Sequence, residues 1–521
     1  MKKKIRVRYD ANTTVEREVN YIPVRYIVAL ALAILETAAV IGIVMLLSYY
    51  VPYFYLAMWA TEIGCVVHII ACDEKPDYKI PWLLVVLIVP VAGFMLYFLF
   101  GNRKLQRKYV RRLESVRQQT YKAQTPQLLA QLREENPIVS TQAAMLTAIA
   151  DSNLFTNTRI CYFPLGEDMH PQLLVDLQKA QKFIFMEYFI IEEGKFWNSI
   201  LDVLKEKAAE GVEVRVVYDD IGCMMTLPGN YHRILAGYGI DAVPFSKLKG
   251  NADSEFNNRS HRKITVIDGK VGYTGGINLA DEYINEIEKF GHWKDVGLRL
   301  EGEGVRELTK LFLIDYGINV KILPQPRHDY FPDFSVPEPG LLIPFGDGPM
   351  PIHEQRVGKS VIENMLNHAT RSFFAMSPYL VLDDALCQAV ENAARRGVAV
   401  KLILPGVPDK WLVKELACSH YKRLMKAGVE IYEYKPGFVH AKVYLADDEI
   451  AMVGTINLDH RSLVHNFENG VWMYRCAAIA GIKEDFGDIL EKCVRMDETN
   501  TNWHWLRRFI RAAAKVFAPL M

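Results

Sequence analysis

The chain carries one frame of titratable residues twice. HRKITVID at 261–268 places His261, Lys263 and Asp268 just as HAKVYLAD at 440–447 places His440, Lys442 and Asp447. An asparagine lies 17 residues beyond each histidine, Asn278 in TGGIN and Asn457 in VGTIN. The surroundings repeat in the same order. An apolar run (FIFMEYFII, 183–191; SFFAMSPYLV, 372–381) leads into a helical stretch (196–211; 385–397) and then a strand (VEVRVVYDD, 212–220; VAVKLILP, 398–405). A second helix ends near Gly239 or Gly428, a short strand follows (IDAVPF; VEIYEY), and then comes the frame. A fold that accommodates this chain must contain two copies of one α/β unit. Strands alternating with helices predict mixed or parallel sheets covered on both faces.

Side chains alternate along a strand, so each histidine shares a face with the lysine two positions on. Asp268 and Asp447 stand seven positions from their histidines, an odd offset, and are expected to work at the strand end. Asp268-Gly269 is also a hairpin signal, and the returning chain brings Asn278 back beside the His–Lys face. If the copies pack face to face, two imidazoles, two ammonium groups and two carboxamides meet. That set suits a phosphodiester: the cations and amides hold phosphate oxygens without a metal. One imidazole attacks phosphorus while the other protonates the leaving alkoxide.

Composition narrows the rest. Lys+Arg and Asp+Glu balance at 61 each, which argues against a nucleic-acid binder. The 8 cysteines are scattered with no C-x-x-C pair, as expected of free thiols rather than a disulfide framework or zinc site. Three apolar runs precede residue 102: Ile27–Tyr50 and Tyr53–Cys72 with one charge each, Glu36 and Glu62, and Ile80–Gly101 with none. As a helix the last is ~33 Å long, enough for a ~30 Å hydrocarbon core, with a kink at Pro90.

Residues 1–112 are thus expected to form a membrane anchor of two or three transmembrane helices, ending in a basic juxtamembrane helix. Its six cations, Arg103, Lys104, Arg107, Lys108, Arg111 and Arg112, recur every four residues. This cluster and the basic residues at 2–8 both prefer the cytoplasmic side, yet three spans would part them. In the two-span reading, one of the first two runs is interfacial or re-entrant. Residues 113–325 and 340–521 are the two soluble units, and the Pro- and Gly-rich stretch 321–350 is the linker. At the end, NWHWLRRFIRAAAKVF (502–517) reads as an amphipathic interfacial helix or a core-docked terminal helix, with Trp505 and Phe509 on one face and Arg508, Arg511 and Lys515 beside it.

The duplicated H-x-K-x4-D followed by G-[GT]-x-N resembles the phospholipase D superfamily. GTINLDHRSLVHNFENG (454–470), GGINLADEYI (275–284), HWKD (292–295) and WLLVVLIVPVAGFMLYFLFG (82–101) are similar to bacterial cardiolipin synthases, and the likeness covers nearly the whole chain. The resemblance implies two phospholipase D-like α/β domains, mixed sheets flanked by helices and related by a pseudo-two-fold, behind the transmembrane region. It implies transphosphatidylation with neither metal nor cofactor. One phosphatidylglycerol gives its phosphatidyl group to a histidine and releases glycerol, and the hydroxyl of a second attacks the phosphohistidine to give cardiolipin.

By the same resemblance His261 is the nucleophile and His440 the general acid, then base, with Lys263, Asp268, Lys442 and Asp447 completing the catalytic motifs. Asn278 and Asn457 bind phosphate. An acidic residue after each motif orients the histidine, which maps onto Glu468 and onto Asp295, although these lie 28 and 34 residues beyond the histidines that precede them. Arg461 and Ser462 match the family's D-x-R-S, and His460 and His465 lie close to the second motif. The partners implied are phosphatidylglycerol, cardiolipin and an anionic membrane surface, with no nucleic acid. The place implied is the bacterial cytoplasmic membrane, multi-pass, with the catalytic domains on the cytoplasmic side. Hydrolysis by water, or transfer to another alcohol, uses the same motif and stays open.

Overall fold

The computed structural model describes residues 2–8, 14–20, 24–50, 52–72, 74, 76–101, 107–118, 126–247, 258–320, 327–350, 352, 355–497 and 505–518. Two antiparallel strands open the chain, β1 (Lys2–Arg8) and β2 (Thr14–Asn20), with Lys2 opposite Asn20. Helices α1 (Val24–Tyr50) and α2 (Pro52–Ala71) follow the first two apolar runs. The third run is a correction to the sequence reading. It forms two helices, α3 (Pro76–Ile88) and α4 (Pro90–Phe100), rather than one kinked span.

The break has a local cause. A proline disfavours helical geometry in the residue before it, and Val89 takes φ −129°, ψ 74°. The chain then doubles back. The Tyr78 hydroxyl donates to the Gly101 carbonyl at 3.1 Å, and the Trp82 and Tyr97 rings lie 5.4 Å apart. Gly93 packs so closely on α3 that a Cβ there would lie 2.3 Å from the Val85 carbonyl oxygen. At ~1.5 Å per residue each arm is shorter than a ~30 Å hydrocarbon core. Among the described residues no helix is long and apolar enough to cross a membrane. The helices nevertheless turn Leu35, Met45, Leu46, Leu56, Trp59 and Ile88 outward.

Helices α5 (Arg107–Gln118), α6 (Pro126–Glu135) and α7 (Pro137–Ala150) lead to the repeated units. The first contains β3 (Thr158–Phe163), α8 (Gly166–Gln178), β4 (Phe183–Tyr188), α9 (Lys195–Ala209), β5 (Glu213–Asp219), α10 (Tyr231–Ala236), β6 (Asp241–Phe245), β7 (Lys263–Ile267), β8 (Val271–Gly275), β9 (His292–Lys294), β10 (Gly297–Gly302) and α11 (Val305–Asn319). The second contains β11 (Leu341–Asp347), α12 (Val357–His368), β12 (Ser372–Met376), α13 (Asp384–Arg395), β13 (Ala399–Pro405), α14 (Trp411–Lys426), β14 (Glu430–Tyr434), β15 (Gly437–Val439), β16 (Val443–Ala446), β17 (Ile450–Gly454), α15 (His460–Val464), β18 (Glu468–Tyr474), α16 (Ala478–Glu491), β19 (Cys493–Arg495) and α17 (Trp505–Phe517).

The sheets share one topology. The first runs β3-β10-β8-β7-β4-β5-β6 and the second β11-β18-β17-β16-β12-β13-β14, with β19 added at its edge. In each, three strands are parallel through helical crossovers and the rest antiparallel, so both are mixed as the alternation predicts. Ile264, Val266 and Leu298 of one sheet join Val443, Leu445 and Val471 of the other in a single core. Strands β4, β16 and β17, buried on both faces, read as apolar runs rather than alternating ones.

Two boundaries differ from the sequence reading. Residues 126–150, assigned to the first unit of 113–325, pack on the second: Leu132, Val139, Ala143 and Leu146 share a core with Ile343, Phe345 and Val361. Helix α5 instead docks on α11, where Arg112 donates to the carbonyls of Gly317 (3.2 Å) and Val320 (2.6 Å). The last residues of the expected linker 321–350 form β11, which pairs with β18.

Candidate active site

Neither motif histidine lies in a strand; each sits just ahead of one, in a segment pinned to the opposite unit. The His261 amide donates to the Phe467 carbonyl and the Phe467 amide to the Arg259 carbonyl, both at 2.8 Å. Likewise β15 runs parallel to β9, and the His440 amide donates to the Lys294 carbonyl at 2.7 Å. The residues that follow Phe467 and Lys294 are the two carboxylates. His261 Nδ1 meets Glu468 at 2.8 Å, and His440 Nδ1 meets Asp295 at 2.6 Å. Each histidine is thus oriented by the other unit. The unequal spacings of 28 and 34 are those to the histidine that each carboxylate does not serve.

Both carboxylates are fully buried and held by their own unit. Glu468 accepts from Ser462 Oγ (2.6 Å), Asn466 Nδ2 (3.1 Å) and the Thr455 hydroxyl. Asp295 accepts from the Val296 amide at 2.8 Å. Burial alone would raise both acids. His440 and Lys442 outweigh it at Asp295, and His261 and Lys263 at Glu468, so each stays below its ordinary range. Burial also disfavours charge on the imidazoles, with a neighbouring lysine adding to it, and takes His261 down to about 4 and His440 to about 3. Each ring is therefore neutral at pH 7, with Nδ1–H committed to a carboxylate and the Nε2 lone pair as its remaining nitrogen.

Lys263 and Lys442 are almost wholly buried. The Lys263 ammonium donates to the His261 carbonyl at 2.6 Å. Lys442 donates to the His440 carbonyl, and its Nζ stands 2.9 Å from His440 Nδ1. Burial lowers both ammonium pKa values, that of Lys442 to about 8.

His261, His440, Asn278 and Asn457 line one cavity of about 870 Å³ between the units. The two asparagines are not equivalent. Asn278 accepts from the Ile190 amide (3.1 Å) and donates to the Tyr283 hydroxyl (2.8 Å), whereas the buried Oδ1 of Asn457 has no hydrogen-bond partner among the described residues. His460 also lines the cavity; His465 does not.

Asp268 and Asp447, counted among the catalytic motif residues, are not brought to the cavity. Asp268 accepts from the amides of Gln181, Lys182 and Phe183, and Asp447 from those of Thr370, Arg371 and Ser372, all at 2.7–2.9 Å. Both sit at positive φ, 53° and 54°, in the turns after β7 and β16, and tie those turns to the starts of β4 and β12. Both stand just past a strand end, but the odd offset does not itself place them there, because neither histidine lies in the strand. Among the described residues no three His, Cys, Asp or Glu side chains are arranged to hold a metal ion.

Sequence reasoning missed the aromatic wall. Phe189 stands edge-on to His261 at 5.2 Å, Tyr283 edge-on to His440 at 5.3 Å, and Trp293 lies 5.5 Å from His440. The signal was present in NLADEYI and HWKD, where Tyr283 lies five residues past Asn278 and Trp293 two before Asp295.

Comparison with known proteins now decides the family. A family model described as "Cardiolipin synthase, PLD-like domain" matches residues 173–288 and 362–490, one stretch in each unit. A cardiolipin synthase of Geobacillus thermodenitrificans is 33% identical over 484 residues, spanning 89% of this chain and 94% of that protein. The chain belongs to the cardiolipin synthase family. As a member it is a phospholipid phosphatidyltransferase. A Streptococcus mutans protein described only as uncharacterized is 40% identical over 470 residues, 88% of this chain and all of that one. A second family model, "Phospholipase_D-nuclease N-terminal", covers residues 63–102, the end of α2 and the α3–α4 hairpin. The crystal structure of a Haemophilus influenzae phosphatidylserine synthase shares the fold at a TM-score of 0.55 and 14% identity, covering 73% of this cardiolipin synthase homologue and all of its own chain.

Proposed function

We propose that the chain joins two phosphatidylglycerol molecules into cardiolipin and releases glycerol. The observation that carries this reading is the pair of imidazoles on one cavity, each backed by a buried carboxylate from the opposite unit. His261 Nε2 attacks the phosphorus of the first lipid, the bond to the head-group glycerol oxygen breaks, and His440 gives that oxygen its proton. The hydroxyl of the second lipid yields its proton to His440 and attacks the phosphohistidine. The phosphorus–nitrogen bond breaks, and both rings return to their starting state. Lys263, Lys442, Asn278 and Asn457 supply positive charge and amide groups around the phosphate.

His440 needs a proton for the first step, although burial keeps it neutral. The incoming phosphodiester brings a negative charge that favours the imidazolium, with Asp295 on its other side. The apolar wall of Phe189, Tyr283, Trp293 and Phe438 supports a lipid acceptor over water.

The outward apolar side chains of α1–α3 support a seat in the bacterial cytoplasmic membrane. The hairpin returns the chain to the face it left. If α1 and α2 both cross, or neither does, the basic stretches at 2–8 and 103–112 share a side, which the positive-inside bias makes the cytoplasmic one. Purified protein incubated with phosphatidylglycerol vesicles is expected to yield cardiolipin and glycerol, and to do so in EDTA because the phosphate's cationic partners are side chains. Phosphatidic acid as the main product would replace this reading with a hydrolytic one.

A further inference from the structure

The two units agree at His, Lys and Asn, but four residues beyond the asparagine they carry opposite charges. There the first unit has Glu282 and the second Arg461. Both line the cavity. Glu282 is neutralised by Lys289 at 2.7 Å. Arg461 is half-buried, and among the described residues no hydrogen bond or ion pair engages its guanidinium. The other cations of the region are committed: Arg259 forks onto Asp219 at 2.8–3.0 Å, Lys294 pairs with Asp485 at 2.7 Å, and Lys263 and Lys442 serve motif carbonyls. Lys410, the remaining lysine on the wall, is mostly exposed and 3.6 Å from Asp409.

The helix that carries Arg461 is clamped rather than loose. Asp459 caps α15 by accepting the Ser462 amide at 2.7 Å. Ser462 Oγ donates to Glu468 at 2.6 Å and accepts the Asn457 amide at 2.9 Å. Arg461 therefore projects from a segment fixed to the His261 carboxylate. Asp459 on the same wall offsets part of the cost of burying this guanidinium but forms no ion pair with it. A guanidinium withdrawn from water without a direct partner is costly, and its planar fork matches phosphate oxygens.

We propose that Arg461 forms an anion subsite that holds the phosphodiester of the acceptor lipid while its hydroxyl attacks. The proposal rests on the transfer reading above. In that reading the donor phosphate lies between the two imidazoles. The acceptor phosphate, one glycerol unit from the attacking hydroxyl, needs its own partner. The second unit presents Arg461 where the first presents the neutralised Glu282, and this gives the site a distinct acceptor side.

The test compares two acceptors on the full-length protein in vesicles of phosphatidylglycerol diluted in phosphatidylcholine. Radiolabelled glycerol exchanging into phosphatidylglycerol uses a neutral acceptor, whereas cardiolipin formation uses an anionic one. Arg461→Gln is expected to lower the ratio of cardiolipin formation to glycerol exchange by roughly tenfold or more, the scale of one charge-assisted contact. The loss should appear as a raised apparent KM for phosphatidylglycerol, with Arg461→Lys recovering part of it. An unchanged ratio, whether both activities fall together or neither does, overturns the proposal. So does a wild-type rate that responds to inorganic phosphate through Arg461 while the lipid dependence is unaffected by the substitution, which would make the subsite one for free phosphate. Wild-type protein that shows neither exchange nor cardiolipin formation fails the transfer reading itself, a separate result.

Discussion

Gly276 and Thr455 occupy the same place in the two copies, and each faces a carboxylate of its own unit. The Thr455 hydroxyl donates to Glu468, whereas a Cβ on Gly276 would stand 2.0 Å from Asp295 Oδ1. The pairs Thr with Glu and Gly with Asp keep two different carboxylates in equivalent positions. Gly276→Ala must push the buried Asp295 off His440, and a displacement of that kind costs on the order of 10²-fold in rate. The expected result is a kcat loss of that size while the thermal midpoint moves little; unaltered kcat would show that Asp295 is not what the glycine protects. The lysines set a second expectation. Lys442 is charged below about 8 and neutral above it. Raising the pH through that value removes positive charge from the phosphate site, so log(kcat/KM) should fall on the alkaline side. A profile level to pH 10 would contradict a working Lys442 ammonium. The sequence made the histidines, lysines and asparagines legible because they repeat. It hid which carboxylate serves which histidine, because that pairing is made by packing and not by spacing.

At the level of elements, the repeated α/β order was legible down to strand sequence, since strands buried on both faces announce themselves as apolar runs. The α3–α4 hairpin was not. A length count sums the apolar residues of Ile80–Gly101 without asking what they pack against, although Pro90 and Gly93 marked the bend and the close approach. The β1–β2 pair was also missed, because the charges of MKKKIRVR read as a flank rather than a strand. With α1 and α2 both crossing, or neither, the hairpin puts the two basic stretches on one side. A tag at the N terminus and one inserted at 119–125 should be reached from the same side of the membrane by an impermeant reagent, in whole cells or in inverted vesicles. Opposite accessibility would mean that an odd number of the segments α1, α2 and 76–101 cross. Substituting Leu for Gly93 should open the α3–α4 contact and lower detergent-solubilised stability by ~1–3 kcal/mol, the usual cost of overpacking.

For the whole molecule, the crossed wiring makes the two units one catalyst. They share a core, and neither holds a complete histidine–carboxylate pair alone. This predicts an exchange of phenotypes that a self-contained arrangement does not. Glu468→Gln lies in the second unit but should disable the first unit's nucleophile, His261. Asp295→Asn lies in the first unit but should disable the second unit's acid, His440. A phosphodiester with a nitrophenyl leaving group separates the two, because a phenolate departs without a general acid. With that substrate Asp295→Asn is expected to give a burst of nitrophenolate approaching one equivalent per enzyme, followed by slow turnover as the phosphohistidine waits for a base. Glu468→Gln is expected to lose the burst, with its rate down by roughly 10²–10⁴-fold. The mirror-image result would exchange the roles of His261 and His440 and keep the crossing. Equal behaviour of the two variants, or a burst abolished by Asp295→Asn while His440→Ala retains it, would mean that each carboxylate does not act through the opposite unit's histidine.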